Sequence, residues 1–235
     1  MESGNNKLGL ISAAWDLFTQ KGYENTTVKD ILDRMKLAKG TFYHYFASKE
    51  SILNDVTEYV LTKQLSAYQE KLRDEDVGAM GRLYLLFDHL KTWKLNNTIF
   101  MRTLLRTVYS EKNLKLRHHL FDKMVTILSP LLADIFEQGV REGVFRIEHP
   151  LETAQLVLHM GFTVGSMVAR EILAFMDNPG DSPQAERILR LSDCYFDSME
   201  KIIGVDSGAL DRASLADLFT IIGVGQQSQA PAPVT

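Results

Sequence analysis

The 235-residue chain contains a single cysteine, Cys194, which excludes an intrachain disulfide and a zinc site built from several cysteines. It also lacks a run of about 18 apolar residues, so a membrane-spanning helix is not expected. The first residues, MESGNNK, have neither the charged nor the apolar region of a secretory signal. These absences together predict a cytoplasmic protein that does not act at a membrane.

Motifs for catalysis and metal binding are also missing. His118 and His119 are adjacent, so on a helix their side chains point about 100° apart and do not chelate one ion. The sequence has no Gly-x-Ser-x-Gly elbow, no phosphate-binding loop and no zinc-hydrolase motif. We therefore predict no metal site, no cofactor and no enzymatic activity, with an all-α enzyme as the weakest alternative.

Positive charge is scarce overall but not locally. The formal net charge is −4, yet residues 1–50 carry seven Lys or Arg and six acids. The remaining 185 residues carry 19 basic and 24 acidic side chains. Between Arg34 and Lys49 there are four basic residues and no acid. Because salt screens charges beyond about 10 Å, this local excess matters more for nucleic-acid binding than the total.

Apolar residues recur at helical spacing throughout the chain, and the period-two alternation of strands is absent. The first predicted helix covers about residues 6–21 and ends at Gly22, with an apolar stripe of Leu8, Ile11, Trp15 and Phe18. We predict an all-α fold of about nine helices, the later ones at about 48–72, 79–95, 97–109, 113–142, 150–177 and 184–203. A short extra helix is expected over 214–222, and the tail from residue 225 is expected to be disordered.

The segment 26–50 predicts two short helices joined by a tight turn at residues 36–38. Thr27 and Asp30 form a capping box that opens the first of them. The second, at 39–46, has a polar and basic outer side, and such a helix suits insertion into the DNA major groove. Its inner side is expected to pack on the first two helices through Phe42, Tyr45 and Phe46.

This segment resembles the N-terminal domain of the TetR family of bacterial transcriptional regulators over about residues 8–60. The resemblance is carried by FTQKGY at 18–23, TTVKDI at 26–31, GTFYHYF at 40–46 and SKE at 48–50. It implies a helix-turn-helix DNA-binding domain over residues 4–51, with its motif at about 27–46. It also implies a helical ligand-binding and dimerisation domain over 52–203, followed by a C-terminal extension over 204–235.

The candidate DNA-binding residues all lie in this segment: Thr27, Lys29, Lys39, Gly40, Thr41, Tyr43, His44 and Lys49. The resemblance implies that Thr27 and Lys49 bind phosphates and that Thr41 and Tyr43 contact the DNA backbone and groove. Lys39 and His44 are the candidates for base edges, and Gly40 would let the helix approach the DNA closely.

Lys29, Lys39 and Lys49 each fall in a predicted first helical turn. A cation there opposes the helix dipole, but the free backbone N–H groups beside it would share a phosphate. The alternative is that all three are ordinary solvated lysines. We favour phosphate contacts because the three positions coincide with the helix-turn-helix pattern.

Three positions depart from the usual family pattern. Met35 and Lys36 stand where the turn normally has small residues and a glycine, and a positive φ at Lys36 would cost about 1 kcal/mol. Ala38 stands where a Ser or Thr cap is usual, which removes about 1 kcal/mol of capping. These departures motivate a second hypothesis, namely a helical small-molecule-binding or adaptor protein that does not bind DNA.

The larger C-terminal part offers weaker signals. Gly161, Gly165 and Ala169 recur every four residues, which lets another helix approach closely. That helix belongs either to the second subunit, across an interface of segments 150–177 and 184–203, or to the same subunit.

A ligand pocket is harder to place from the sequence. Candidate lining residues, chosen because methionine and aromatic side chains suit apolar ligands, are Trp93, Phe100, Met101, Leu104, Met124 and His159. The alternative is that they are ordinary core residues. Lys94, Arg102 and Arg106 would favour an anionic ligand, unless they belong to solvated helix faces.

These observations predict a homodimeric, ligand-responsive transcriptional regulator, and a repressor rather than an activator. Its two recognition helices would enter successive major grooves of a near-palindromic DNA operator. An unidentified small-molecule effector would bind in the helical body, change the separation of the two DNA-binding parts and release the operator.

Overall fold

The computed structural model describes residues 2–72, 77–109, 113–177 and 183–212, and these residues form nine α-helices without a strand. The helices are α1 Glu2–Lys21, α2 Val28–Met35, α3 Lys39–Tyr45, α4 Lys49–Leu72, α5 Ala79–Asn96, α6 Thr98–Val108, α7 Leu114–Arg141, α8 Pro150–Asp177 and α9 Pro183–Ile203. The predicted all-α fold is confirmed. The short extra helix at 214–222 and the tail from 225 lie outside the described residues.

The predicted ends of the helices follow from local capping. Gly22 adopts a left-handed φ of 83° directly after α1, which is why a glycine ends that helix. At its other end α1 begins at Glu2, four residues earlier than predicted, and Leu8 of the predicted apolar stripe is 52% exposed.

The first core cluster holds α1, α2 and α3 against the N-terminal half of α4. Phe42 and Phe46 are almost fully buried in it, and Tyr45 packs against it while partly exposed, as predicted for the inner side of α3. Phe100 from α6 is also buried in this cluster, although it lies far along the chain. The N-terminal helices therefore share their core with the body of the protein.

The second core cluster lies between the C-terminal half of α4 and helices α5, α7, α8 and α9. Its largest fully buried side chains include Tyr68, Leu83, Ile135, Phe136 and Met199. The Tyr68 hydroxyl donates a hydrogen bond to the Arg82 carbonyl oxygen at 2.7 Å, which ties α4 to α5. Helix α4 runs unbroken through both clusters, so a functional division at residues 51 and 52 stays a prediction.

The segment 204–212 folds back onto α9 and joins the body. The Glu200 carboxylate is buried and accepts hydrogen bonds from the backbone N–H groups of Gly208 at 3.0 Å and Leu210 at 2.9 Å. Arg212 donates to Asp197 at 2.5 Å and to Glu200 at 3.5 Å. The first part of the predicted C-terminal extension is thus anchored structure.

Replacing Glu200 with alanine is expected to lower the free energy of unfolding by about 2–4 kcal/mol, because each buried donor left without a partner costs about 1–3 kcal/mol. Urea denaturation followed by circular dichroism at fixed protein concentration measures the loss. Glu137→Ala on α7 is the matched control, since its exposed carboxylate pairs with Arg141 at 3.9 Å and contributes less than about 0.5 kcal/mol. Equal losses in the two variants would contradict the anchoring role of Glu200.

Candidate DNA-binding surface and ligand cavity

Helix α2 begins with a complete capping box. The Asp30 backbone N–H donates to the Thr27 hydroxyl oxygen at 3.1 Å, and the Thr27 backbone N–H donates to the Asp30 carboxylate at 2.7 Å. Lys21 from α1 bonds the same carboxylate at 2.8 Å. The bond from Lys21 and those from Thr27 hold the pKa of Asp30 well below its usual range, because each of them favours the ionised carboxylate.

The turn between α2 and α3 is strained at its first residue. Lys36 has φ 54° and ψ 40°, the left-handed conformation, and it is the one non-glycine residue with positive φ in the part of the chain described. Its backbone N–H donates to the Asp33 and Leu32 carbonyl oxygens and so completes the end of α2. At the next helix start, Ala38 makes no side-chain capping bond to any described residue.

Helix α3 turns four of the predicted DNA-binding residues outward. These exposed residues, called here the α3 outer face, are Lys39, Gly40, Tyr43 and His44. The Tyr43 side chain is 52% exposed, and the Lys39 Nζ lies 5.9 Å from the centre of its ring. A Cβ atom at Gly40 would have no neighbour within 4 Å among the described atoms, so nothing in the protein obstructs a close approach there.

The charged side chains around the α3 outer face are mostly basic, and two of them are not engaged in ion pairs with described residues. Lys29 and Lys36 are exposed and, within the described ranges, form no ion pair. In contrast, Arg34 pairs with Asp16 at 2.9 Å. Thr41 is half-buried. Helices α2 and α3 therefore present a basic and aromatic surface.

A cavity of about 610 Å³ lies inside the helical body and is bounded by α4 to α9 and by the segment 209–212. Its walls are mainly apolar, and its size is within the range of small-molecule sites. Five of the six predicted ligand-binding residues line it: Trp93, Phe100, Met101, Leu104 and Met124.

Two cavity residues also contact the N-terminal helices. The Trp15 ring of α1 packs edge-on against Phe100, with centroids 4.8 Å apart, and stacks with Trp93 at 6.1 Å. Trp93 and Phe100 pack on each other at 6.2 Å. This aromatic bridge of Trp15, Trp93 and Phe100 connects the wall of the cavity to the part that carries α3.

Two family profiles match the chain in the same two parts. The profile for bacterial regulatory proteins of the tetR family matches residues 10–56, and a tetracyclin repressor-like C-terminal domain matches residues 98–166. The chain belongs to the TetR family of bacterial transcriptional regulators.

Two curated transcriptional regulators are similar to this chain over part of its length. The transcriptional repressor KstR2 of Rhodococcus jostii is 25% identical over 148 residues, which cover 62% of this chain and 70% of KstR2. The uncharacterised regulator YuxN of Bacillus subtilis is 44% identical over 54 residues, 23% of this chain and only 19% of YuxN. The matched parts thus range from a fifth to about two thirds of the relatives' lengths.

Solved structures agree on the fold over most of the chain. RolR in complex with resorcinol has a TM-score of 0.60 at 18% identity and covers 98% of this chain and 97% of its own. FadR of Thermus thermophilus in complex with lauroyl-CoA has a TM-score of 0.57 at 20% identity, covering 82% and 94%. At these identities the likeness concerns the fold alone.

In this TetR-family regulator, Lys49 and Thr27 are occupied by contacts within the protein. The Lys49 ammonium donates to the carbonyl oxygens of Tyr23 at 2.9 Å and Thr26 at 3.1 Å, and it lies 3.9 Å from the centre of the Tyr23 ring. The Thr27 hydroxyl donates to the Asp30 carboxylate at 2.8 Å. Phosphate binding by these two side chains stays a prediction, and it would require exchange of those contacts.

The glycine stripe of α8 faces the cavity of the same subunit, and its predicted place in a two-fold interface stays a prediction. Gly161 and Gly165 line the cavity, and Ala169 is buried beside them. A Cβ atom at Gly161 would lie 3.1 Å from the Tyr195 hydroxyl oxygen, so the small residue admits α9 of the same subunit. Close packing within one subunit is therefore supported at Gly161, whereas a Cβ atom at Gly165 would have no described neighbour within 4 Å.

Of the six predicted ligand-binding residues, His159 is the one that the structure places away from the cavity. Its side chain is exposed on α8 and does not line the cavity, because it lies two residues before Gly161 and points to another side of the helix.

The sequence interpretation missed cavity residues at the far end of the chain. Tyr195 and the segment 209–212 line the cavity, and burial raises the pKa of the Tyr195 hydroxyl to about 12. Tyr195 lies on the helix that was predicted at the dimer interface, and the apolar pattern of that helix does not distinguish an interface from a pocket. The fold-back of 209–212 depends on the contacts with Glu200, which helical spacing does not encode.

Lys36→Gly is expected to raise the free energy of unfolding by up to about 1 kcal/mol, because glycine adopts the left-handed conformation without the steric clash of Lys36. Thermal or urea unfolding of the full chain measures the gain. Lys29→Gly, inside α2, should instead lower stability by about 0.5–1 kcal/mol. A loss of stability in Lys36→Gly would show that the side chain, rather than the backbone conformation, matters at this turn.

Proposed function

We propose that this TetR-family protein is a ligand-responsive repressor that binds a near-palindromic operator as a homodimer and is released by a small molecule. The observation that carries the proposal is the aromatic bridge, because the same rings bound the cavity and support α1. KstR2 is named a repressor, and RolR and FadR were solved with resorcinol and lauroyl-CoA. These relatives support repression and a small-molecule effector respectively.

The α3 outer face supplies the chemistry for DNA recognition. Lys39 and His44 offer hydrogen-bond donors to base edges, and Tyr43 offers an exposed ring with a hydroxyl. Gly40 leaves room for the phosphate backbone. Lys29 and Lys36 add positive charge at the side of α3, which favours binding to any DNA and is screened by salt.

Release by an effector follows from the shared aromatic wall. A ligand that displaces Trp93 or Phe100 also changes the contacts of Trp15, since the three rings touch one another. Helix α4 starts among the N-terminal helices and ends in the body, so it transmits the same displacement. Effector and operator would then favour different arrangements of the two parts, which is a coupling of two sites.

Helix α8 provides the surface for a second copy. By length and composition it is the one helix among the described residues that is apolar enough to cross a membrane, and only 17% of that stretch is buried within the protein. One side packs on α7 and α9 and on the cavity, while Leu156, 65% exposed, and Met167, 38% exposed, lie on the other side. Ile202 on α9 is exposed as well. A twofold copy would cover these exposed apolar side chains.

Replacing Lys39 or Tyr43 with alanine is expected to weaken operator binding at least ten-fold without changing helicity, because both side chains are exposed. Gel shifts with the DNA that flanks the gene, in the presence of nonspecific competitor, measure the affinity. Lys115→Ala, an exposed lysine on α7, is the matched control and should bind as wild type does. Wild-type affinity in both α3 variants would refute the assignment of the α3 outer face.

A charge on the exposed side of α8 is expected to abolish dimerisation. Leu156→Glu and Met167→Glu would bury a carboxylate in the proposed interface, at a cost of several kcal/mol. Analytical ultracentrifugation should find monomers and gel shifts should find weaker operator binding. Leu114→Glu, at a leucine that is 59% exposed at the start of α7, keeps the dimer if the interface is correct. A stable dimer in both α8 variants would exclude this interface.

A second candidate function is that of a helical small-molecule-binding or adaptor protein without an operator. It is favoured by the strained Lys36 and by Ala38, which leaves α3 without a side-chain cap from any described residue. The two functions differ in how binding depends on salt and sequence. A steep decrease of affinity with salt, together with tight binding to one sequence only, supports the repressor.

A further inference from the structure

Charged side chains are few in the wall of the cavity, and they differ in whether they already have partners. The ionisable groups other than tyrosines are Asp88, Lys91, Lys94, Asp211 and Arg212. Arg212 is surrounded by the carboxylates of Asp193, Asp197 and Glu200, so its charge is compensated. Lys91 also interacts with another residue.

Lys94 is different, because no carboxylate in the described ranges forms an ion pair with it. It follows Trp93 on α5, and its side chain is accessible from the cavity. Its side chain keeps an exposed surface, and desolvation by the neighbouring protein atoms lowers the pKa of its ammonium group. A cation in such a place gains more from an anionic partner than an ammonium in water does.

The predicted cations on α6 do not compete for this role. Arg102 and Arg106 do not line the cavity, and each interacts with other residues. Asp88 lies six residues before Lys94 on α5, about 9 Å along the helix axis, and it disfavours an anion at that level of the cavity. A negative group in the cavity is therefore favoured at the level of Lys94 and disfavoured at the level of Asp88.

We propose that Lys94 binds an acidic group, such as a carboxylate, on an effector that is otherwise apolar. The acid lies at the end of the cavity beside Trp93, and the apolar part occupies the space among α6, α7 and α8. The inference deepens the proposed function and rests on the cavity being the effector site. It also gives the effector a defined orientation, with its charge next to the aromatic bridge.

Matched pairs of probes test the proposal on the full-length protein. Decanoate and 1-decanol share a ten-carbon chain, and 2-naphthoate and 2-naphthol share a naphthalene ring. Isothermal titration calorimetry measures each affinity, and the fluorescence of Trp15 and Trp93 reports occupancy of the cavity. We expect at least one acid to bind ten-fold or more tightly than its alcohol, because the acid gains a charge-assisted bond.

Variants of Lys94 show whether that preference depends on its charge. Lys94→Met keeps the length of the side chain and should remove the preference for the acid while leaving the affinity for the alcohol within about two-fold. Lys94→Arg should retain the preference, and Lys115→Met on α7 should behave as wild type. Melting temperatures confirm that each variant is folded, and Lys94→Gln replaces Lys94→Met if the latter is not.

Two results would overturn the proposal. One is an acid preference that persists in Lys94→Met, and the other is no acid preference in the wild type for either pair, which includes no binding at all. Operator binding by the same wild-type sample is measured in parallel. A protein that binds its operator and takes up the alcohols but not the acids keeps the proposed function and loses only the role of Lys94.

Discussion

The contact of Trp15 with Trp93 and Phe100 is the interaction on which the rest of the arrangement depends. Phe100 is buried in the core of the N-terminal helices although it belongs to α6, so those helices complete their core only with a residue from the body. The same ring bounds the cavity. Close-packed aromatic groups do not move independently, so under the proposed function a change in the cavity would reach α1 directly through these rings.

The helix-turn-helix combines local strain with local compensation. Lys36 in the left-handed region and the absent cap at Ala38 each cost about 1 kcal/mol. The capping box of α2 and the bonds from Lys49 to two carbonyl oxygens hold the same region in place. The α3 outer face is thus positioned by contacts behind it, which leaves its own side chains exposed.

The sequence predicts helix ends and caps, because these depend on residues that are neighbours along the chain. It does not predict which side of a helix faces inward where contacts between distant helices decide this. The end of α1 at Gly22 and the capping box at Thr27 are local, and both were found as expected. Helix α8 is apolar on most sides, so its spacing does not say whether Gly161 or Leu156 faces inward. The phosphate contact predicted for Lys49 stays a prediction, and the spacing of the sequence does not show that two carbonyl oxygens lie within reach of its ammonium group.

The orientation of α8 links the cavity to the proposed dimer. Gly161 and Gly165 line the cavity, whereas Leu156 and Met167 lie on the exposed side of the same helix. A rigid helix cannot move on one side alone, so a ligand that shifts α8 also shifts the surface offered to the second copy. By reciprocity, dimerisation changes ligand affinity by the same factor. The cavity would then act on the operator by two routes, through the aromatic bridge to α1 and through α8 to the separation of the two recognition helices.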